Sequence, residues 1–163
     1  AASTEEKVNL CKQHGADEGF VYPTGKLDRD QQKELSGKIK ELTGGVGANV
    51  VYDPVGDSYS EPCIRATAWD GRYLVIGFAA GEIPKIPINL ALLKGMKIVG
   101  VFWGAWVGMN PEENKQNFKE LFKLHSEGKI NPEVSDSFSL DDGAKAIAHL
   151  KDRKAKGKVI IKI

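Results

Sequence analysis

The run Ala48-Asn49-Val50-Val51-Tyr52 leads into Asp53-Pro54-Val55-Gly56, and this junction is where the chain can do chemistry. That chemistry is ligand binding. An apolar strand ending in a short glycine-containing loop before a helix presents main-chain groups to a ligand. In open parallel sheets such ligands lie in the crevice outside the carboxyl ends of the strands. A binding site is therefore expected near residues 53–57, with Val55 and Gly56 at its lip. Gly77-Phe78-Ala79 and Phe102-Trp103 close the next two apolar runs and would reach the same crevice. No residue is expected to be catalytic. His14, His125 and His149 lie on or beside helices without a nearby Ser, Cys or Asp constellation, and no general acid is evident. Cys11 and Cys63 fall among apolar helix positions and are expected to be buried fillers. No Cys/His set has zinc-site spacing, so no metal site is expected.

The elements that must hold this lip can be read from periodicity. Ser3-Thr4-Glu5-Glu6 has capping-box form, with Ser3 as cap, and opens a helix carrying Val8 and Cys11 inward until Gly15. Gly19 to Tyr22 is a short strand, followed by a polar loop over 23–30. Leu35, Ile39 and Leu42 recur at helical spacing, and Gly44 stops that helix. After the strand at 48–53, a helix around 59–68 carries Cys63, Ile64 and Ala68. Asp70-Gly71 then turns the chain into a strand from Tyr73 to Gly77. A helical turn at 89–94 and a long apolar strand from Lys97 to Trp103 come next.

Asn110-Pro111-Glu112-Glu113 is a helix start: a cap, a proline in the first turn, and acids at the positive dipole end. Phe118, Leu121, Phe122 and His125 share one face of that helix, which ends at Gly128. A strand from Val134 to Phe138, a helix from Asp141 with Ala144, Ile147 and Leu150 on one stripe, and a strand from Lys158 to Ile163 complete the chain. Helices alternating with strands at this density predict an α/β fold, a mostly parallel sheet covered on both faces.

Composition sets limits. A chain of 163 residues can bury a real core, and a net charge of +1 argues against a general polyanion binder. The basic cluster Lys151, Arg153, Lys154, Lys156 and Lys158 lacks interleaved aromatics, so no nucleic-acid partner is expected. No apolar run reaches the roughly 20 residues that span a bilayer, so no membrane partner is expected either.

One absence matters. A dinucleotide-binding sheet normally starts with a strand, a G-x-G-x-x-G loop and a helix whose amino end faces the phosphates. Gly44-Gly45-Val46-Gly47 precedes a strand and does not replace that loop. The chain thus reads as a fragment, with Ala1-Ala2-Ser3 the stub of a second strand.

The ordered set of motifs is familiar. It comprises Ser3–Lys7 with His14-Gly15-Ala16-Asp17, Gly44 to Gly56, Gly71 to Gly81, Ile98 to Gly104, and Gly157 to Ile161. Together they resemble the medium-chain dehydrogenase/reductase superfamily, in its zinc-independent quinone oxidoreductase branch. The resemblance implies the carboxyl-terminal part of such an enzyme. Its fold would be a partial Rossmann-type, doubly wound parallel sheet lacking the first strand, glycine loop and first helix. Residues 1–105 would form the truncated dinucleotide-binding domain, and 106–163 would return to pack on an absent GroES-like substrate domain.

The activity implied is NADPH-dependent hydride transfer to a small-molecule quinone or enone, with the protein supplying binding and orientation. Ser3 and Lys7 would meet the 2′-phosphate, since Ala2 stands where an NAD-preferring site carries an acid. On residue type alone they are a capped helix with a solvated lysine. Tyr22 would lie near the adenosine phosphate, or serve as a half-buried strand aromatic. Arg153 matches a second cation on that phosphate. Val55 and Gly56 would approach the nicotinamide-side ribose, with Gly77, Phe78 and Ala79 in the same crevice. Main-chain groups of Phe102 and Trp103 would bind the carboxamide, unless these rings and Trp106 pack at a core or interface. A homodimer through the apolar strand at 97–103 is implied, and a cytoplasmic location, with a mitochondrial one left open. Two other readings remain. A Rossmann-like methyltransferase would want an acid at Ala2; an inactive interaction module would use the same edge strand.

Overall fold

The structure is a computed structural model describing residues Ala1–Ile163. The chain divides into two compact units, Ala1–Trp103 and Gly104–Ile163.

In the first unit, α1 (Glu5–Gln13) and α2 (Arg29–Leu42) precede β1 (Ala48–Asp53). Then follow α3 (Ser60–Arg65), β2 (Thr67–Val75), α4 (Asn89–Lys94) and β3 (Lys97–Gly100). The strands form one parallel sheet in the order β1-β2-β3. Asp53 pairs with Val75, and Val75 with Gly100, so all three carboxyl ends finish on one level. The helices follow from local chemistry. Asp28 caps α2 through Asp30 and Gln31 N–H, both at 2.9 Å, while the Gln31 side chain reaches back to the Asp28 N–H. In α1 the cap is Thr4 rather than Ser3, its hydroxyl accepting from Lys7 N–H at 3.3 Å.

Several boundaries depart from expectation, each for a reason of pairing. The strand expected at 19–22 and the stub at Ala1–Ser3 reduce to one parallel bridge, Ala2 with Val21. The helix expected over 59–68 ends at Arg65, because Thr67 already enters the ladder beside Ala48. Asp70-Gly71 is consequently a bulge inside β2, where the register jumps between the Ala48 and Val50 partners. Gly71 is required there, since a Cβ would stand 2.6 Å from Thr67 Cγ2. Beyond Val75 and Gly100 the ladder has no further rungs, so β2 and β3 stop short of Gly77 and Trp103.

α3 packs on β1 and β2, flanked by α2 and α4. Ile64, Tyr73, Leu90 and Met96 form the core between these layers, joined by Val51, Val75 and the half-buried Cys63. A second cluster of Leu27, Leu35 and Tyr59 lies against Phe20, Tyr22, Val55 and Ala80. From the sheet's other face project Val50, Val99 and Tyr52, the last 66% exposed. Cys11 is exposed rather than buried, because Val8 is the buried residue of α1.

Helix α5 (Trp103–Met109) opens at the junction of the units. The second unit continues with α6 (Pro111–Ser126), β4 (Val134–Ser139), α7 (Gly143–Lys151) and β5 (Lys158–Lys162). β4 and β5 are a separate parallel pair joined through α7, which packs on both. A single 3-10 turn at Leu140–Asp142, capped by the Ser139 hydroxyl, precedes α7 and displaces its expected start at Asp141. Ala146 is the buried residue of α7, whereas Ile147 and Leu150 are exposed, as are Phe118, Leu121 and Phe122 on α6.

Candidate functional site

Parallel pairing in matched register brings the three strand ends to one rim, and the loops leaving it are tied together. Ile76 and Gly77 N–H donate to the Asp53 carbonyl at 3.0 and 3.4 Å. Ala79 N–H donates to Pro54 O at 3.0 Å and Ala80 N–H to Val55 O at 2.9 Å. Val101 N–H donates to Val75 O at 3.0 Å, bringing the Val101–Trp103 segment to the same rim. Val55-Gly56 and Gly77-Phe78-Ala79 are thus brought against each other, with Phe102 and Trp103 following on the next strand end. Those two rings are 80% and 59% exposed, so they are not core residues.

Gly56 decides how closely the loops approach. Its φ is +74°, a backbone state that side chains disfavour, and a Cβ there would stand 2.8 Å from Phe78 Cδ1. A ligand lying along this lip therefore meets bare backbone at Gly56 and the Phe78 ring beside it. Behind the lip, Val75, Gly77, Phe78, Ile83 and Ile98 help line an apolar pocket of about 180 Å³.

Asp53 is the site residue that sequence reading missed. The residue is only 6% exposed, yet one carboxylate oxygen accepts from Val55 N–H at 2.8 Å and Gly56 N–H at 3.0 Å. The other accepts from the Ser60 hydroxyl at 3.0 Å and from the Tyr73 hydroxyl. Four donors on one buried carboxylate satisfy it fully. The local signal was an Asp two and three residues ahead of a tight turn. Burial foremost, and then donation to Asp53, push the Tyr73 phenol well above its ordinary range. Burial, then the Asp53 charge, push the Cys63 thiol up to about 12. Both are held protonated at neutral pH.

Tyr22 reaches the rim from another direction. Its ring meets Tyr59 edge-on at 5.3 Å and lies in the cluster that includes Val55 and Ala80. The Tyr59 hydroxyl holds the same loop, 2.8 Å from Pro23 O and 2.7 Å from Gly25 O. Tyr22 N–H donates to Ala2 O at 3.0 Å, so the chain just before Ser3 runs beside Tyr22, while Lys7 lies in the first turns of α1. Arg153 belongs to the second unit, in a left-handed turn with φ +57° directly after α7. Nearby in that unit, His149 Nε2 lies 3.2 Å from Asp136, and its ring packs on Phe138 at 5.7 Å. No group of three or more His, Cys, Asp or Glu is arranged to hold a metal ion. No helix is long and apolar enough to cross a membrane.

A parallel sheet with its ligand rim at the carboxyl ends and helices at its connections defines a Rossmann-type α/β nucleotide-binding domain. A family profile described as zinc-binding dehydrogenase matches residues 1–126, and the chain belongs to that family, within the medium-chain dehydrogenase/reductase superfamily. Quinone oxidoreductase-like protein 2 homolog of Nematostella vectensis is 35% identical over 161 residues, covering 98% of this chain and 42% of that protein. Quinone oxidoreductase-like protein 2 of Bos taurus is 35% identical over 163 residues, covering 100% and 44%. Among solved structures, a mycobacterial protein complexed with NADPH superposes with a TM-score of 0.84 at 27% identity, covering 99% of this chain and 48% of that one. The chain thus spans about half the length of the curated relatives it matches.

Proposed function

We propose that this chain is the cofactor-binding portion of an NADPH-dependent oxidoreductase that reduces quinones or enones by hydride transfer. One observation carries the reading: three strand ends in register, with Gly56 bare against Phe78 at the rim. The family membership and a mycobacterial neighbour solved with NADPH support it. The residues at the rim suit the nicotinamide half of the cofactor. Gly56 admits a sugar against the backbone, and Phe78 and the main chain of Phe102 and Trp103 flank the ring. Ser3, Lys7 and Tyr22 take the adenosine phosphate side. The cofactor supplies the hydride; the residues named here bind and orient, and none exchanges a proton.

The remainder of the reading concerns assembly. Residues 106–163 pack on a GroES-like substrate domain. The outer edge of β3, with Ile98 and Val99 exposed, pairs with a second copy to make a homodimer. The same edge favours the second reading, an inactive module that associates through β3. Fluorescence titration of NADPH and NADH separates them. Preferential NADPH binding is expected; equal or absent binding of both removes the phosphate site and leaves the module. A mass by light scattering that stays monomeric at all concentrations removes the dimer.

A further inference from the structure

We infer that Asp53 is a positioning residue that fixes what the 54–56 loop can recognise: a hydroxyl-bearing sugar and not an anion. This rests on the cofactor reading above. An N–H group has one proton to give, whereas a carbonyl oxygen has two lone pairs. The N–H groups of Val55 and Gly56 are both spent on Asp53 Oδ1. Pro54 has none to offer. Across the crevice, the N–H groups of Ile76, Gly77, Ala79 and Ala80 are spent on the carbonyls of Asp53, Pro54 and Val55. The Gly56 carbonyl accepts from Tyr59 N–H at 3.3 Å. Each of the Pro54, Val55 and Gly56 carbonyls therefore keeps a lone pair, while the loop has no donor left. The 54–56 loop therefore accepts hydrogen bonds from ribose hydroxyls and offers a phosphate no donor; across the crevice only the Phe78 N–H is not spent within these loops.

The carboxylate can hold this arrangement because it is itself held. Ser60 and Tyr73 donate to Oδ2, leaving Oδ1 for the loop. Ser60 is fully buried and Tyr73 nearly so, so no water competes for these bonds. Their loss would free the carboxylate to turn, and the loop N–H groups with it.

The test compares Asp53→Ala with Asp53→Asn. The amide keeps Oδ1 for both loop N–H groups, so it should rescue. NADPH is titrated by nicotinamide fluorescence, and adenosine 2′,5′-bisphosphate, which lacks the nicotinamide ribose, is titrated separately. Asp53→Ala should weaken NADPH about tenfold, the scale of a lost charge-assisted hydrogen-bond pair, and leave the bisphosphate unchanged. Amide exchange at Val55 and Gly56 should quicken in Asp53→Ala and not in Asp53→Asn. Should Asp53→Ala fail to fold, the double variant Ser60→Ala/Tyr73→Phe carries the test, with faster exchange at the same two amides and NADPH about threefold weaker. Unchanged NADPH affinity, or equal weakening of both ligands, overturns the proposal. Unaltered amide exchange overturns it whatever binds. A wild-type chain that binds neither ligand overturns the cofactor reading itself, and the sugar role with it.

Discussion

The Tyr73 hydroxyl donates to the Asp53 carboxylate from the neighbouring strand, beneath the loop that Asp53 holds. Tyr73 lies two residues before Val75, the partner of Asp53, so both side chains project to the face covered by α3. Core and rim are thereby one structure: the residue that fills the space under α3 also steadies the ligand loop.

Tyr73→Phe removes that donor and leaves the buried Asp53 oxygen with Ser60 alone. The variant should lose about 1.5–3 kcal/mol, the scale of one hydrogen bond to a charged group. Denaturant unfolding should show a lower midpoint with an unchanged slope.

Gly56→Ala should be worse than an ordinary surface substitution. The residue sits at φ +74°, and the new methyl would stand 2.8 Å from Phe78 Cδ1 and 3.2 Å from Phe78 Cα. A side-chain contact can yield, but the Cα cannot without moving the rim. A loss of about 1–3 kcal/mol is expected, together with weaker NADPH binding, by thermal melting and titration.

Stability should fall as pH rises above about 9. The Cys63 thiol is raised from an ordinary 9.0 to about 12, and Tyr73 is raised too. A group that holds its proton more tightly when folded stabilises the fold fully below its unfolded pKa. That stabilisation drains as pH climbs from the unfolded value toward the folded one. For Cys63 the window runs from 9.0 to about 12. Cys63→Ala should flatten the alkaline slope without abolishing it, because Tyr73 still contributes.

The same burial separates the two thiols. Cys11 is exposed and Cys63 is held protonated in the core, so alkylation at pH 8 should label Cys11 first. Peptide mass mapping over time would show the order; equal rates would mean the core around Cys63 opens freely.

In the second unit, Gly157→Ala should unpair β5. A Cβ at this position would run into the Glu133 carbonyl, the acceptor of the Lys158 N–H at 2.7 Å. Loss of protection at the Lys158–Lys162 amides would report it by hydrogen exchange.

Much of this was legible in the chain because it depends on near neighbours. The parallel strands are short apolar runs, Pro111 followed by two acids marks the start of α6 although Asn110 makes no side-chain cap bond, and a glycine after Asp53-Pro54-Val55 marks the lip. Asx turns, proline starts and side-chain periodicity all act within a few residues, so the sequence alone sets them. The tertiary structure decided what depends on distant partners. Where β2 and β3 stop is set by the last rung each finds across the ladder, and Asp70-Gly71 became a bulge because Thr67 had already paired with Ala48. Which stripe of α7 is buried, and that Cys11 faces water, follow from what each helix packs against. Asp53 shows the division within one residue. Its turn with Val55 and Gly56 is local, but its hold on that turn depends on Ser60 and on Tyr73, 20 positions away, meeting it under α3.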